Sequence, residues 1–225
     1  MPDNLSPDPG ELMSISYMKL RRAVGILGLA LPVVLVLGNL ALSSDCGRVQ
    51  FSISDYFYTK MGPYFTGTLC AVGLFLFSYY GYTPKDRYAA KLACFCAIAV
   101  ALNPTQSADV ASACNIQHRS SPLYVNIIHF ASATTLFLTF AYFSLFLFTK
   151  TSGEMTPQKK KRNIIYKTCG WVMLGSIIGL VLVSTIKPLQ DAIRQYNPVL
   201  VLEWILLWAF GFSWLVKGEA ILQDK

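Results

Sequence analysis

The chain has 225 residues, of which 54% are hydrophobic and only 14% are charged, and its mean hydropathy is +0.45. A soluble domain carries about 25% charged and about 45–50% apolar residues, so this chain has too little charge to cover a globular surface. The composition excludes an ordinary cytosolic enzyme, a disordered regulator and a nucleic-acid-binding domain, despite the net charge of +7.

Six long apolar runs predict six membrane-spanning helices. They lie near residues 20–42, 61–82, 88–103, 122–149, 164–186 and 198–216. A span needs about 20 residues to cross the hydrocarbon, and only the third run is short. Continuous apolar runs satisfy their backbone polar groups in lipid as helices. We therefore predict an all-α integral membrane protein, a six-transmembrane-helix bundle over residues 19–217 with short tails at 1–18 and 218–225.

The basic residues predict the orientation of this bundle. Fourteen of the 19 Lys and Arg residues fall in the two tails and in the second and fourth connecting segments, and five fall in the opposite segments. Since cytoplasmic segments carry the excess of Lys and Arg, both termini are expected in the cytoplasm, in a plasma or inner membrane. The first apolar run exceeds the 7–15 residues of a signal-peptide core, so we expect it to be an anchor.

The fourth connecting segment carries the densest basic run, Lys159, Lys160, Lys161 and Arg162. Its first explanation is topological, as a cytoplasmic stop signal. Such a run also attracts anionic lipid by about 1 kcal/mol per charge, or offers a contact for a cytoplasmic protein. These alternatives stay open at the level of the sequence.

Two of the six cysteines, Cys46 and Cys114, fall in the predicted outer loops. That side of the membrane is the oxidising one, so a Cys46–Cys114 disulfide joining the two loops is expected, with two unpaired thiols as the alternative. The other four cysteines lie in predicted spans, where a thiol usually acts as a small apolar side chain.

The fourth span carries a polar stripe, which predicts a face turned toward the bundle interior. Its members recur every three or four residues: Asn126, His129, Ser132, Thr135, Thr139 and Tyr142. Glu203 enters the sixth span at a depth similar to that of His129, while Asn39 and Asp55 lie near the same leaflet. Buried ionisable groups in membranes are costly and usually functional. Three interpretations stay open: polar contacts that only hold helices together, a site open to the outer leaflet, and a proton or ion path.

Metal binding and the common catalytic motifs find little support in the sequence. His129, His118, Asp55 and Glu203 carry suitable ligand atoms, but no HxxxH or HxxE spacing joins them, so neither a metal nor a cofactor is expected. The chain has no GxSxG, P-loop or GxGxxG motif.

Small residues predict close helix packing in two places. Gly175 and Gly179 form a GxxxG motif on the fifth span, and Gly25 with Gly28 makes a smooth face on the first. Such faces let helices approach within one bundle or between two copies of a chain. We favour packing within the bundle and keep a homo-oligomer through Gly175 and Gly179 as the alternative.

The segment just before the second span carries the tripeptide Ile53-Ser54-Asp55. Its position resembles the Ile-Ser-Asp motif in the first outer loop of the Frag/DRAM/Sfk-type six-span membrane proteins and of a related bacterial family of unknown function. Ser52 stands where the eukaryotic members usually have proline, which favours the bacterial relatives. The resemblance implies lipid-related work in the membrane, such as remodelling or retention, without an established catalytic set.

The same motif has two physical interpretations. Ser54 and Asp55 carry oxygens that cap helix N-termini, and a carboxylate is favourable there. In the other interpretation Asp55, with Tyr56 and Tyr58 at the level of the lipid headgroups, binds a polar lipid head.

These observations predict an outward-facing polar cavity that binds or handles a lipid or small amphiphile. Its walls would come from the first, second, fourth and sixth spans, below loops joined by the disulfide. The predicted contacts to the head are Asp55, His129 and Glu203, flanked by Tyr56, Tyr58 and Trp204, with Asn39, Ser54 and Asn126 nearby. A membrane-embedded hydrolase or transferase, with His129 as general base beside Glu203 or Asp55 and with or without a metal, is the alternative. A channel or transporter is the second alternative, and binding without catalysis is favoured.

Overall fold

The computed structural model describes residues 9–42, 49–81, 83–105, 122–151 and 153–222. These residues are helical or irregular and contain no strand, which confirms the predicted all-α class. The helices are α1 (Pro9–Leu42), α2 (Gly62–Phe77), α3 (Pro84–Leu102), α4 (Leu123–Tyr142), α5 (Pro157–Thr185), α6 (Lys187–Ile193) and α7 (Pro198–Lys217). A π-helical turn extends α4 over Phe143–Leu147, and 3₁₀ turns cover Ser54–Tyr58 and Arg194–Tyr196.

Every predicted span coincides with one of the long helices, although several boundaries differ. The first helix begins at Pro9, inside the predicted N-terminal tail. The second ends at Phe77 and is shorter than expected. The third begins at Pro84 because Thr83 and Asp86 form a capping box there, so it is longer than its apolar run. Sequence analysis missed the short α6, which has only seven residues, three of them polar.

Four helical segments are long and apolar enough to cross a membrane: Ser16–Leu42, Leu123–Leu147, Pro157–Thr185 and Pro198–Lys217. With 16 residues, α2 reaches only about 24 Å. The outer faces of the helices carry many exposed apolar side chains, among them Leu37, Leu74, Phe95, Phe130, Phe146, Trp171 and Ile178. Exposure of this apolar surface to water is unfavourable, whereas the hydrocarbon of a membrane would cover it. The described part of the chain is therefore consistent with a membrane location.

The six long helices form a ring. Each packs against its neighbours in chain order, α1 on α2, α2 on α3, α3 on α4, α4 on α5 and α5 on α7, and α7 closes the ring on α1. We call the end at which α1 begins and α7 ends the terminal end, and the end that carries residues 49–61 and α6 the loop end. At the terminal end, Arg22 donates to the carbonyls of Gly218 (2.7 Å) and Glu219 (3.1 Å), which satisfies the last turn of α7.

The contact between α1 and α7 depends on glycine. A Cβ atom on Gly25 would lie 2.8 Å from the carbonyl oxygen of Gly211, and one on Gly211 would lie 2.8 Å from that of Gly25. The smooth face predicted on the first span is therefore used within the bundle. The two glycines of the GxxxG motif on α5 have different surroundings. A Cβ atom on Gly179 would lie 3.2 Å from the Leu202 side chain of α7, whereas Gly175 is exposed and has nothing within 4 Å of its Cβ position.

The ring has two kinds of interior. Toward the terminal end, large aromatic side chains pack together and fill the bundle: Tyr79, Phe143, Phe148, Tyr166, Phe210 and Trp214. Toward the loop end, a second cluster of aliphatic and aromatic residues surrounds Ile53 and Tyr56. The candidate site lies in this second half of the bundle.

Candidate functional site

Residues 49–61 fold into the loop end of the bundle instead of standing above it. Ile53, Tyr56 and Tyr58 are buried, with at most 5% of each side chain exposed. The Tyr58 hydroxyl donates to the carbonyl of Thr105, and the Tyr56 hydroxyl accepts from the backbone N–H of Gln50 (3.4 Å). The loop is thus attached by its own aromatic side chains and forms the upper wall of a site.

Glu203 ties this loop to α7. Its Oε2 accepts a hydrogen bond from the backbone N–H of Ile53 at 2.5 Å. A carboxyl oxygen accepts from a backbone N–H in either protonation state. The Glu203 side chain, a predicted site residue, therefore contacts the Ile53-Ser54-Asp55 segment. The contact is to the backbone amide of Ile53 and not to a side chain of the motif.

His129, on α4, is held by a residue that follows α3. Its Nδ1 lies 2.7 Å from the carbonyl oxygen of Asn103, the residue that follows α3. A carbonyl oxygen can only accept, so Nδ1 carries the proton, and in a neutral ring Nε2 is an acceptor. The imidazole is 4% exposed and lies among α2, α3 and α4 residues. This arrangement fixes the ring and leaves Nε2 for a ligand or water.

His129 and Glu203 line one cavity of about 60 Å³, which we call the inner cavity. Ser54 and Thr68 are its other polar side chains. The remaining wall is apolar: Leu27, Gly28, Leu31, Ile53, Phe65, Leu69, Val72, Val100, Ala133, Leu136, Phe137, Phe140, Leu207 and Phe210. The four predicted walls, now α1, α2, α4 and α7, all contribute, and Val100 adds a contact from α3. The volume suits roughly four to six water- or methylene-sized groups.

A second, wetter cavity of about 370 Å³ opens at the loop end, and we call it the outer cleft. Its polar lining comes from the loop, from the segment after α3, from the end of α5, from α6 and the turn after it, and from the start of α7: Ser52, Ser54, Asp55, Thr105, Ser184, Gln190, Arg194, Asn197 and Glu203. Ser54 and Glu203 line both cavities, so these side chains lie at the boundary between the two spaces. A polar cleft therefore adjoins an apolar cavity, and this order of surfaces suits a molecule with a polar head and an apolar chain.

The other predicted site residues lie elsewhere. Tyr56 and Tyr58 are fully buried under the loop, so they support the site instead of flanking a bound head as predicted. Trp204 is half-buried and packs edge-to-face on Trp208 at 5.7 Å, outside both cavities. Asn39 is fully buried near the end of α1. Of the predicted stripe on α4, His129 and Thr139 are buried and the other four members are half-buried, and only His129 lines the inner cavity. Asn126 is half-buried outside it.

The capping interpretation of the motif is wrong. Neither Ser54 nor Asp55 caps α2, which begins at Gly62 after Met61 and has no side-chain cap. The motif forms a 3₁₀ turn of its own, in which the Ser52 hydroxyl accepts from the backbone N–H of Asp55 (3.1 Å). The Asp55 carboxyl is therefore directed to the outer cleft and is only 5% exposed.

Burial raises the pKa of the Asp55 carboxyl from 3.8 to about 6, while hydrogen bonds from the side chain and backbone of Ser52 act in the opposite direction. A carboxyl whose pKa is higher in the folded than in the unfolded state makes the folded protein bind more protons. Its effect is thus to lower stability as pH rises from about 4 through about 6. Near neutral pH, Asp55 carries its charge in an unfavourable place, as a ligand-binding group does.

We expect Asp55→Asn to raise the free energy of unfolding by about 1–2 kcal/mol near pH 7 and to change it little at pH 4. The reason is that the amide removes the buried charge and keeps the side-chain volume. Thermal unfolding of the purified protein across this pH range checks the prediction. Asp191→Asn, at an exposed position of α6, is the matched control and is expected to leave the pH profile unchanged. A profile that Asp55→Asn does not flatten would contradict the prediction.

Among the described residues, no group of three or more His, Cys, Asp and Glu side chains could hold a metal ion. His118, one of the weak metal candidates, lies outside the described residues, as do Cys46 and Cys114, so the disulfide stays a prediction. Of the described cysteines, Cys70, Cys94, Cys96 and Cys169 are free thiols in the helices.

Sequence analysis missed several polar contributors, among them Gln190, Arg194 and Asn103. Gln190 and Arg194 belong to α6 and the turn after it, and Asn103 supplies a backbone carbonyl rather than its side chain. Arg194 is one of only five basic residues in the outer segments, and this placement is the signal that could have drawn attention to it. Nothing in the sequence points to the Asn103 carbonyl.

Comparison of the chain with family models, with curated proteins and with solved structures gives no match. The resemblance to the Frag/DRAM/Sfk-type proteins therefore stays a prediction that rests on Ile53, Ser54 and Asp55.

Proposed function

We propose that this protein is a six-span membrane protein that binds or handles a lipid or small amphiphile at the outer leaflet. In this proposal all six long helices cross the membrane, the terminal end lies in the cytoplasm and the loop end faces outward. The basic residues that support this orientation by the positive-inside rule gather at the terminal end, among them Arg21, Arg22, Lys150, Arg162 and Lys217.

The observation that carries the proposal is that the polar outer cleft and the apolar inner cavity adjoin each other and share Ser54 and Glu203 in their walls. The head would lie in the outer cleft against Asp55, Arg194 and Glu203, while the chain end would enter the inner cavity toward Phe210. Two carboxyls beside one guanidinium suit a head that carries an ammonium or hydroxyl donor as well as an acceptor. The Ile53-Ser54-Asp55 resemblance supports the same lipid-related work.

The hydrogen bonds of Glu203 and His129 also stabilise the fold. Glu203 holds the Ile53 amide and His129 holds the Asn103 carbonyl, so both groups stabilise the loop end even without a ligand. A purely structural role would, however, be served by a closed interior. The inner cavity beneath them is the feature that a ligand explains.

A cavity-filling variant tests the proposal. Ala133 lines the inner cavity on α4, and Ala131 lies two residues before it on the exposed face of the same helix. We expect Ala133→Phe to fill the cavity and to reduce co-purified lipid at least about tenfold, because the chain end loses its apolar site. Native mass spectrometry of protein released from mild detergent measures the lipid. Ala131→Phe, with the same added volume, is expected to retain it.

The outcomes separate this proposal from the alternatives. Equal lipid retention by Ala133→Phe and the wild type would overturn cavity binding. Recovery of cleaved or transferred lipid from protein incubated with phospholipid would favour the hydrolase or transferase, with His129 Nε2 as the base. Ion flux in proteoliposomes that Ala133→Phe blocks would favour the channel or transporter.

A further inference from the structure

The outer cleft carries charged groups of both signs on different elements. Asp55 lies in the 3₁₀ turn of the loop and Glu203 in the second turn of α7, whereas Arg194 lies in the turn after α6. No ion pair joins Arg194 to either carboxyl in the part of the chain that the structure describes. The cleft therefore offers a cation and two carboxyls at separate places, an arrangement that is complementary to a ligand with both charges.

The two carboxyls are held in place by uncharged partners. The Asp55 carboxyl is 5% exposed and is hydrogen-bonded by the side chain and the backbone of Ser52. A cation beside this carboxyl would offset the cost of burying its charge. The Glu203 carboxyl has its Oε2 fixed by the Ile53 N–H, which leaves Oε1 to accept from a second donor. Both groups are thus preset to accept hydrogen bonds from a cationic donor.

Arg194 supplies the opposite charge in another part of the cleft. Its guanidinium lies 5.8 Å from the centre of the Phe51 ring, a contact that orients the cation without neutralising it. The Asn197 side chain lines the cleft nearby and makes no capping hydrogen bond to α7. The first turn of α7, at Pro198 and Val199, adds the positive end of a 20-residue helix. This part of the cleft favours a phosphate, because guanidinium binds two of its oxygens at once.

On the basis of the proposed lipid site, we propose that the outer cleft selects a zwitterionic lipid head with a phosphate and a primary ammonium. This is the chemistry of an ethanolamine phospholipid. The phosphate binds at Arg194 and the start of α7, and the ammonium donates its N–H groups to Asp55 and Glu203. Each end of the head then meets a group of complementary charge or hydrogen-bonding capacity, while the chain end enters the inner cavity.

A choline head, which is also zwitterionic, fits the cleft less well. Its trimethylammonium group has no N–H to donate, so the two carboxyls would gain no hydrogen bond from it. Proteins bind quaternary ammonium groups in cages of aromatic rings. Of the rings that line the cleft, Phe51 already contacts Arg194, and Phe130 is 62% exposed on α4. The preference for a primary ammonium therefore comes from Asp55 and Glu203.

A series of N-methylated lipids tests this selection. Phosphatidylethanolamine, its monomethyl and dimethyl derivatives and phosphatidylcholine carry the same charges, but the number of ammonium N–H groups falls along the series to none. The full chain is freed of lipid in mild detergent and titrated with each lipid, and native mass spectrometry measures the bound lipid. We expect affinity to fall along the series and to be about tenfold or more lower for phosphatidylcholine than for phosphatidylethanolamine.

Variants at the two ends of the head separate their contributions. Asp55→Asn is expected to be more stable than the wild type near pH 7, because the buried charge is gone, and yet to bind phosphatidylethanolamine about tenfold more weakly, with a smaller loss for phosphatidylcholine. Misfolding cannot produce this combination. Arg194→Gln is expected to weaken both lipids by about fivefold or more, since both carry a phosphate. Asp191→Asn and Lys187→Gln, at exposed positions of α6 outside the cleft, are the matched controls and are expected to bind as the wild type does.

The outcomes distinguish a failure of the headgroup selection from a failure of the lipid site. Equal affinity for phosphatidylethanolamine and phosphatidylcholine, with both lost in Ala133→Phe, would overturn the selection alone. Binding that Ala133→Phe leaves unchanged, or no binding of any lipid, would overturn both. Soluble phosphoethanolamine carries the same head without the chains and is expected to bind far more weakly than the lipid. Equally tight binding of this compound would overturn the assignment to a lipid.

Discussion

Replacing Glu203 with alanine is expected to reduce co-purified lipid at least about tenfold. Glu203 lines both the outer cleft and the inner cavity, and its Oε2 holds the Ile53 amide that closes the site. Leaving a buried hydrogen-bonding group without its partner costs about 1–3 kcal/mol, and about 1.4 kcal/mol corresponds to tenfold in binding. Lipid extracted from equal amounts of purified protein and quantified by mass spectrometry measures the change.

Glu203→Gln separates the two roles of this side chain. The amide oxygen can still accept from the Ile53 N–H, so the loop stays closed, but the group can no longer ionise when a cationic head binds beside it. We expect Glu203→Gln to keep the melting temperature close to that of the wild type and to lose an ammonium-bearing lipid selectively. Full retention of lipid by the alanine variant would show that Glu203 only holds the loop.

Gly211→Leu is expected to destabilise the bundle by at least about 3 kcal/mol. A Cβ atom at this position would lie 2.8 Å from the Gly25 carbonyl oxygen and 2.8 Å from the Leu29 backbone nitrogen, so α1 and α7 would have to separate. Overpacking costs about 1–3 kcal/mol where side chains can yield, and here the obstacle is backbone on a neighbouring helix. Unfolding in a denaturing detergent titration, followed by circular dichroism, measures the loss.

Gly175→Leu is the matched control for this change. It makes the same substitution in another long helix, at a position with nothing within 4 Å of the added Cβ. We expect its stability to equal or exceed that of the wild type, because leucine has the higher helix propensity. Equal losses in the two variants would contradict the interhelical contact. A change of oligomeric state in Gly175→Leu alone would support a homo-oligomer through the exposed side of α5.

The arrangement of helices could largely be predicted from the sequence, because a long apolar run has few alternatives to a helix. The inward face of α4 was equally predictable, since His129 and Thr139 recur with helical spacing and polar groups avoid lipid. The boundaries were harder. Thr83 and Asp86 extend α3 through a capping box made by polar residues outside the apolar run.

The site was only partly predictable. His129 and Glu203, which the sequence places at one depth, both line the inner cavity, and two ionisable groups at one depth favour a shared polar space. Their actual partners are the Asn103 carbonyl and the Ile53 amide, which every residue type can supply and no sequence pattern marks. Tyr56 resembles a headgroup-level aromatic residue in sequence, yet it is buried because the loop folds inward.

The most direct test of the proposed lipid site is a cryo-electron microscopy map of the protein in lipid nanodiscs. The account predicts continuous elongated density that begins in the outer cleft beside Asp55 and Arg194, passes Glu203 and His129, and ends near Phe210. It also predicts that this density is missing in Ala133→Phe. An inner cavity that holds no density beyond discrete waters in the wild type, with lipids bound only on the outer faces of the helices, would contradict it.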